Sequence, residues 1–205
     1  MKGLLIKDAI LIKKYCVFHF VISLVFFAIS VFDDSNLFFA YYAVSIVSII
    51  PITISAYDEQ CRWNAFETIL PISRKQSVAE KYIITVCIIV PVTVLYSIIM
   101  LFAKEESFSD MLLNISIMLL CGVIPPSIVL PIIFKFGYLK GRTINFIIIA
   151  IFAAMISFTS LGYVSAVDNQ LQFNAAMVLI MIVAAATVFI LSVLISSAVY
   201  KNKEF

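Results

Sequence analysis

Six long apolar runs constrain this chain more than any other feature of its sequence. They cover residues 15–32, 37–56, 83–103, 111–134, 143–164 and 174–200. Each run is close to the ~20 residues with which an α-helix crosses the apolar core of a bilayer. Hydrophobic residues make up 63% of the chain and charged residues only 13%, whereas a soluble domain is roughly half apolar. We therefore predict an all-α integral membrane protein with six transmembrane helices.

The basic residues predict the sidedness of these spans. If the N-terminus is cytoplasmic, thirteen of the 14 lysine and arginine residues fall on cytoplasmic segments, and only Lys104 falls outside. Cytoplasmic segments of multi-pass proteins are enriched in basic residues. Both termini are therefore expected in the cytoplasm, and residues 1–205 are expected to form one domain in the cytoplasmic membrane.

Residues 1–14, before the first span, mix basic and apolar side chains. On a helical projection the four lysines fall within an arc of roughly 140°, with most of the leucines and isoleucines opposite. Asp8 lies on the apolar side and interrupts this pattern. We predict an interfacial amphipathic helix with its lysines toward headgroups and water. A cleaved secretory signal is the alternative, but the following run is long for a signal core, which favours an uncleaved first span.

The longest polar interruption, residues 57–82, lies between the second and third spans. Asp58 and Glu59 suit the positive N-terminal end of a helix. The large apolar residues that then recur on one helical face are Trp63, Phe66 and Leu70. Such an amphipathic helix suits contact with a partner. A plain linker, with its tryptophan as an anchor at the membrane interface, is an equally weighted alternative.

Two local patterns predict where this helix ends and the next begins. Pro71 disfavours helical geometry at Leu70 and so ends the first helix. Ser73, with Gln76 three residues later, is a capping-box pattern that starts a helix leading into the third span.

The six runs offer little chemistry, because they contain no Asp, Glu, Lys or Arg. Intramembrane proteases, proton pumps and ion-coupled carriers need ionisable groups at depth. Residues 137–143 (GYLKGRT) superficially resemble a phosphate-binding loop, but a P-loop has four residues between its glycines and a lysine after the second. No catalytic, metal or nucleotide site is predicted, so active transport would draw its energy from another polypeptide.

The topology and residues 57–82 together resemble the membrane-spanning (permease) subunit of a type-2, export-type ATP-binding-cassette transporter, in a compact bacterial subfamily. There the first inner loop carries an acidic pair, a tryptophan, an aromatic residue three positions later and a Leu-Pro-Ile/Val-Ser-Arg-Lys run. This chain has Asp58-Glu59, Trp63, Phe66 and LPISRK at residues 70–75. The resemblance implies a cytoplasmic coupling helix that docks in a groove of an ATPase subunit.

By this resemblance, Trp63, Phe66 and Leu70 would form the docking face, and Arg74 and Lys75 would orient the contact. The full set of predicted ATPase-coupling residues is Asp58, Glu59, Trp63, Phe66, Glu67, Leu70, Pro71, Arg74 and Lys75. The expected partners are two ABC-type ATPase subunits that bind ATP and Mg, a second permease subunit in a homodimer or heterodimer, and membrane lipids. Neither a cofactor in this chain nor a nucleic acid partner is expected.

The expected function is that of a non-catalytic transmembrane subunit in an ATP-driven exporter of an amphipathic or apolar cargo, such as a peptide. A non-transporting membrane protein, serving as an immunity component, sensor or scaffold, would show the same topology and stays open as the alternative.

Overall fold

The structure, a computed structural model, describes residues 2–32, 38–67, 69, 73–103, 108–160 and 175–201. Regular structure within these residues is entirely α-helical, which confirms the all-α prediction. The helices are α1 (Lys2–Tyr15), α2 (Val17–Phe32), α3 (Phe38–Val47), α4 (Ile50–Gln60), α5 (Trp63–Glu67), α6 (Arg74–Ala103), α7 (Phe108–Phe136), α8 (Tyr138–Ser160) and α9 (Ala175–Lys201). In the part of the chain that is described, four candidate spans are long and apolar enough to cross a membrane, or five if α1 and α2 form one bent span. The predicted total of six stays a prediction.

The N-terminal helix is separate from the first predicted span, because α1 and α2 meet at a bend of 62°. Cys16, at the bend, is fully buried and packs with Val47, Ile50 and Ile54. Leucine and isoleucine side chains of α1 pack against the same cluster. One face of α1 is thus attached to the helix bundle, while its location at the membrane surface stays a prediction.

The second predicted span is one candidate span, Phe38–Gln60, whose helix is interrupted at residues 48–49 between α3 and α4. Pro51 lies in the first turn of α4, where its missing N–H cannot pair with the carbonyl of Val47 in the helix before the break. Beyond the break, α4 continues through Asp58 to Gln60. Part of the stretch predicted as a connection is therefore the end of this helix.

Helix α7 runs without a break through its three prolines, Pro125, Pro126 and Pro131. A proline leaves the carbonyl four residues earlier without its helical donor, and hydroxyl groups of neighbouring helices can replace that donor. The Ser192 hydroxyl of α9 donates to the Ser127 carbonyl, which Pro131 leaves free, at 2.6 Å. The Ser45 hydroxyl of α3 lies 3.3 Å from the Cys121 carbonyl, which Pro125 leaves free. The prolines therefore become points of attachment between helices.

Close packing of α7 against α3 and α6 depends on Gly122. A Cβ atom at this position would lie 2.8 Å from Ile89 Cγ2 and 2.9 Å from Val44 Cγ1, distances that real Cβ contacts do not show. The absence of a side chain lets three helices meet at one level.

Candidate functional site

The described part of the connection between α4 and α6 contains one short helix instead of the longer one expected. After Gln60 the chain turns at Arg62, whose φ of 53° is the left-handed conformation common where a helix ends. Helix α5 has only 5 residues. A helix of this length is unstable alone, so contacts with its neighbours must hold it in place.

Asp58 and Glu59 lie in the last turn of α4, so the prediction that they begin a helix is wrong. The N-terminal end of a helix favours a carboxylate by only ~0.3–1 kcal/mol, which other contacts readily override. The Glu59 carboxylate instead serves the start of a different helix, because the Tyr138 amide of α8 donates to Glu59 Oε2 at 2.6 Å. A Cβ atom at Gly137 would lie 3.0 Å from Glu59 Oε1, so glycine gives this carboxylate its room.

Asp58 belongs to a closed ring of alternating charges, here called the charge ring, formed by Lys7, Asp8, Lys81 and Asp58. The Lys7 ammonium nitrogen lies 2.9 Å from Asp8 Oδ1 and 2.8 Å from Asp58 Oδ1. The Lys81 nitrogen lies 2.7 Å from Asp8 Oδ2 and 2.5 Å from Asp58 Oδ2. Each of the four carboxylate oxygens therefore faces an ammonium group, and the ring joins α1, α4 and α6.

The charge ring is largely removed from solvent, with side-chain exposures of 0% for Asp8 and 7% for both Asp58 and Lys81. Burial alone would raise the pKa of Asp8. The ammonium group of Lys81, a hydrogen bond donated by the protonated carboxyl of Glu80 and the charge of Lys7 together hold that pKa below its usual range. Burial raises the pKa of Glu80 itself to about 8, so Glu80 is neutral at pH 7 and adds no charge to the ring. Two lysines and two aspartates balance in charge, as a buried ionic cluster requires.

The ring corrects two sequence-based interpretations. Lys7 was expected to face headgroups and water, but it points into the cluster, with a side-chain exposure of 20%. In the sequence pattern Asp8 interrupts the apolar face of α1, yet in the structure it lies at the centre of the contact that attaches α1. A carboxylate in the middle of an apolar helical face requires a buried cation, and that requirement was the available signal.

Trp63 is half-buried and lies between α1 and the rest of α5. The Lys7 nitrogen is 4.5 Å from the centroid of its ring, at a distance typical of a cation–π contact. The Phe66 ring lies 5.4 Å away, between centroids. Beside Trp63 is a cavity of about 220 Å³, with Leu11 and Tyr15 of α1 among its lining residues.

The other end of α5 is attached to α6 and α9. Glu67 is buried and accepts hydrogen bonds from the hydroxyl groups of Ser77 in α6 and Tyr200 in α9. Arg74, the first residue of α6, donates to the Lys201 carbonyl at 2.7 Å. Both predicted coupling residues therefore have partners within the chain.

The start of α6 agrees with the capping-box prediction. The Ser73 amide donates to Gln76 Oε1 at 3.1 Å, which is the glutamine half of that motif. Among the described residues, no group of three or more histidine, cysteine or carboxylate side chains is arranged to hold a metal ion.

Two apolar side chains remain prominent on the outer surface of the connection. Phe66 is 52% exposed and Ile69 is 79% exposed, and a hydrogen bond of 3.1 Å from the Ile69 amide to the Phe66 carbonyl keeps them in one turn. Lys75 is also exposed. Ile69 is not among the predicted coupling residues, although it follows Phe66 by three positions, a spacing that places two side chains on one helical face. Leu70 and Pro71 lie outside the described residues.

Comparison with known proteins identifies the family of the chain. A family model described as "ABC-2 family transporter protein" matches residues 3–201. No curated protein and no solved structure matches the chain. The family match covers nearly the whole chain, including every helix that contributes to the charge ring. The chain therefore belongs to the ABC-2 transporter family and is a permease subunit of a type-2 ABC transporter.

Proposed function

We propose that this permease is the transmembrane subunit of an ATP-driven exporter and that α5 is its coupling helix. Two copies, or one copy and a related chain, would assemble with two ATPase subunits, which bind ATP and Mg. ATP binding would draw the ATPases together, and α5 would pass that displacement to the spans. Membership of the ABC-2 family supports a partnership with ATPase subunits in general.

The observation that carries the proposal is the exposed apolar pair, Phe66 and Ile69, on the connection between α4 and α6. Large exposed apolar side chains at such a position favour burial against a partner. The pair belongs to a segment attached at both ends: Trp63 contacts Lys7, and Glu67 contacts α6 and α9. Displacement of Phe66 would therefore be transmitted to α1, α6 and α9 through these contacts.

The cargo we propose is amphipathic or apolar, such as a peptide. From Tyr82 to Ala103 in α6, and from Ala175 to Tyr200 in α9, the sequence has no charged residue. A path along such helices would solvate a small ion poorly. The charged side chains of α6 are confined to its first eight residues, on the side proposed to be cytoplasmic.

The test is recovery of the ATPase with tagged permease from detergent extracts. Trp63→Ala combined with Phe66→Ala should release the ATPase while leaving membrane insertion intact, because the spans are unchanged. Truncation of a buried aromatic anchor commonly costs ~2 kcal/mol or more, which is a roughly thirtyfold weaker complex. Ile69→Ala should add to the loss.

Phe102→Ala provides the matched control, since Phe102 is 78% exposed and lies at the opposite end of α6. It should recover as much ATPase as the unmodified chain. If the triple variant also retains full ATPase, α5 is not the coupling helix. If the unmodified chain recovers none, the alternative of a non-transporting immunity, sensor or scaffold protein is favoured.

A further inference from the structure

The charge ring forms a link between α1 and the coupling region that apolar packing alone would not provide. Asp8 comes from α1, Asp58 from the last turn of α4 and Lys81 from α6. Lys7, also from α1, closes the ring and lies over Trp63 of α5. Three helices, α1, α4 and α6, therefore meet at one set of charges, and α5 contacts that set through Trp63.

The closed geometry makes the link stiff. Lys81 pairs with carboxylates from two different helices, at 2.7 and 2.5 Å, so a shift of either helix alone would leave a buried charge without its partner. Uncompensated buried charge is strongly unfavourable. Apolar contacts, by comparison, have no fixed direction and tolerate sliding. The ring thus favours movement of α1, α4 and the start of α6 as one body.

Helix α1 is in turn joined to the first predicted span. It meets α2 at Cys16, a residue with 0% exposure that packs against Val47, Ile50 and Ile54. Displacement of α1 would therefore also displace α2 and the second predicted span, which α3 and α4 form. This is a route into the membrane separate from the direct continuation of α4 and α6.

We propose that Asp8 and Lys81 are positioning residues that make α1 a second moving part of the coupling apparatus, so that α1 follows α5 when the ATPase displaces it. This inference rests on the proposed function, because it assumes that α5 is the element displaced. It assigns the N-terminal helix a role in transmission, beyond lying on the membrane surface.

The test measures whether α1 and α5 stay together when nucleotide binds. Bimane on Leu11→Cys, in a chain whose native cysteines are replaced by alanine, would report proximity to Trp63 by tryptophan quenching, because Leu11 and Trp63 line the same cavity. Trp63 is the only tryptophan in the chain. Quenching by Trp63 is the loss of bimane emission relative to a Trp63→Phe variant. It is measured for the complex with its ATPase, once without nucleotide and once with Mg-ATP and vanadate.

With the ring intact, we expect the quenching to be the same in both states. In the double variant Asp8→Leu with Lys81→Met, one charge of each sign is removed, which leaves the neutral Lys7–Asp58 pair at 2.8 Å. Quenching should then fall in the vanadate state only, because α5 moves and α1 stays behind. The single variant Lys81→Arg keeps the positive charge and leaves Asp8 in place, so its quenching should be the same in both states, as in the unmodified chain.

The matched control is Lys13→Met, which removes an exposed lysine of α1 and should behave like the unmodified chain. Constant quenching in the double variant would overturn the proposal, and so would a nucleotide-dependent change with the ring intact. Failure of the proposed function would be seen separately, as an unmodified chain that recovers no ATPase. The ring is then tested in the isolated chain by surfactant unfolding, where Asp8→Asn must destabilise the chain and Lys13→Met must not.

Discussion

At the scale of single residues, adjacent acidic side chains serve different purposes. Asp58 is buried in the charge ring, whereas Glu59 is exposed and accepts a hydrogen bond from the Tyr138 amide. Of the predicted coupling residues, Glu67 and Arg74 also contact neighbouring helices. These side chains are therefore suited to fixing the shape of the connection, while Phe66 and Ile69 are suited to contact with a partner.

The difference between Asp58 and Glu59 gives a matched pair of substitutions. Asp58→Asn leaves Lys7 and Lys81 with one carboxylate between them and should destabilise the chain by ~3–5 kcal/mol, as for a broken buried ion pair. Glu59→Gln removes the same charge but keeps an oxygen for the Tyr138 amide, so it should cost about 1 kcal/mol or less. Unfolding in detergent by titration with a denaturing surfactant measures both. Equal losses would show that the ring is solvated and adds little.

At the scale of helices, hydroxyl groups connect α7 and α9 across the bundle. The Ser192 hydroxyl donates to the carbonyl of Ser127, and the Tyr82 hydroxyl lies 2.6 Å from Ser192 and 2.7 Å from Ser196. The carbonyl is available because residue 131 is proline. A residue that normally interrupts a helix is thus used to attach one helix to another.

This attachment predicts a specific coupling between substitutions. Ser192→Ala should destabilise the chain by ~1–3 kcal/mol, because the Ser127 carbonyl is left buried without a donor. In a Pro131→Ala background, residue 131 regains its N–H and can serve that carbonyl, so Ser192→Ala should cost much less. A double-mutant cycle by surfactant unfolding measures the coupling, expected at ~1 kcal/mol or more.

Ser197→Ala, on the same helix, is the control for the cycle. Its hydroxyl donates within α9, to the Leu194 carbonyl at 2.9 Å, so its effect should be small and independent of Pro131. Additive effects of Ser192→Ala and Pro131→Ala would show that the serine does not compensate for the proline.

At the scale of the whole molecule, the described helices and the basic residues agree on a multi-pass membrane protein. The six-span topology with both termini cytoplasmic is a prediction that labelling can test. In a background without native cysteines, Ser107→Cys and Asn169→Cys should react with an impermeant reagent added outside cells. Asn202→Cys should react only after permeabilisation. Labelling at position 202 in intact cells would contradict the topology.

The same scale gives a prediction for nucleotide. The turn between α7 and α8 resembles a phosphate-binding loop only superficially, and the Tyr138 amide at its helix N-terminus is already paired with Glu59. The purified permease should therefore neither bind nor hydrolyse ATP without its partner. The measurement is equilibrium binding of labelled ATP to the isolated chain, and saturable binding would contradict the prediction. If Glu59→Gln left that binding unchanged, the nucleotide site would be separate from this turn.

The sequence by itself determined the features that depend on local patterns. Apolar runs of membrane-spanning length predicted helices because only internally hydrogen-bonded segments are stable in lipid. The Ser73–Gln76 pattern predicted the start of α6 because a cap involves residues only three positions apart. Residues 57–82, with their Trp63 and LPISRK run, identified the family that the match across residues 3–201 confirmed.

Tertiary structure alone decided which charges pair. Asp58 is 51 positions from Lys7, and Lys81 is 73 positions from Asp8. In the sequence, Lys7, Asp58 and Lys81 appear as ordinary polar residues, and the position of Asp8 on an apolar face indicates only that some cation must cover it. Periodicity shows which face of one helix is apolar, but it does not show which helix covers that face or at what register. The charge ring exists because the packing of α1 against α4 and α6 brings these four side chains to the same level.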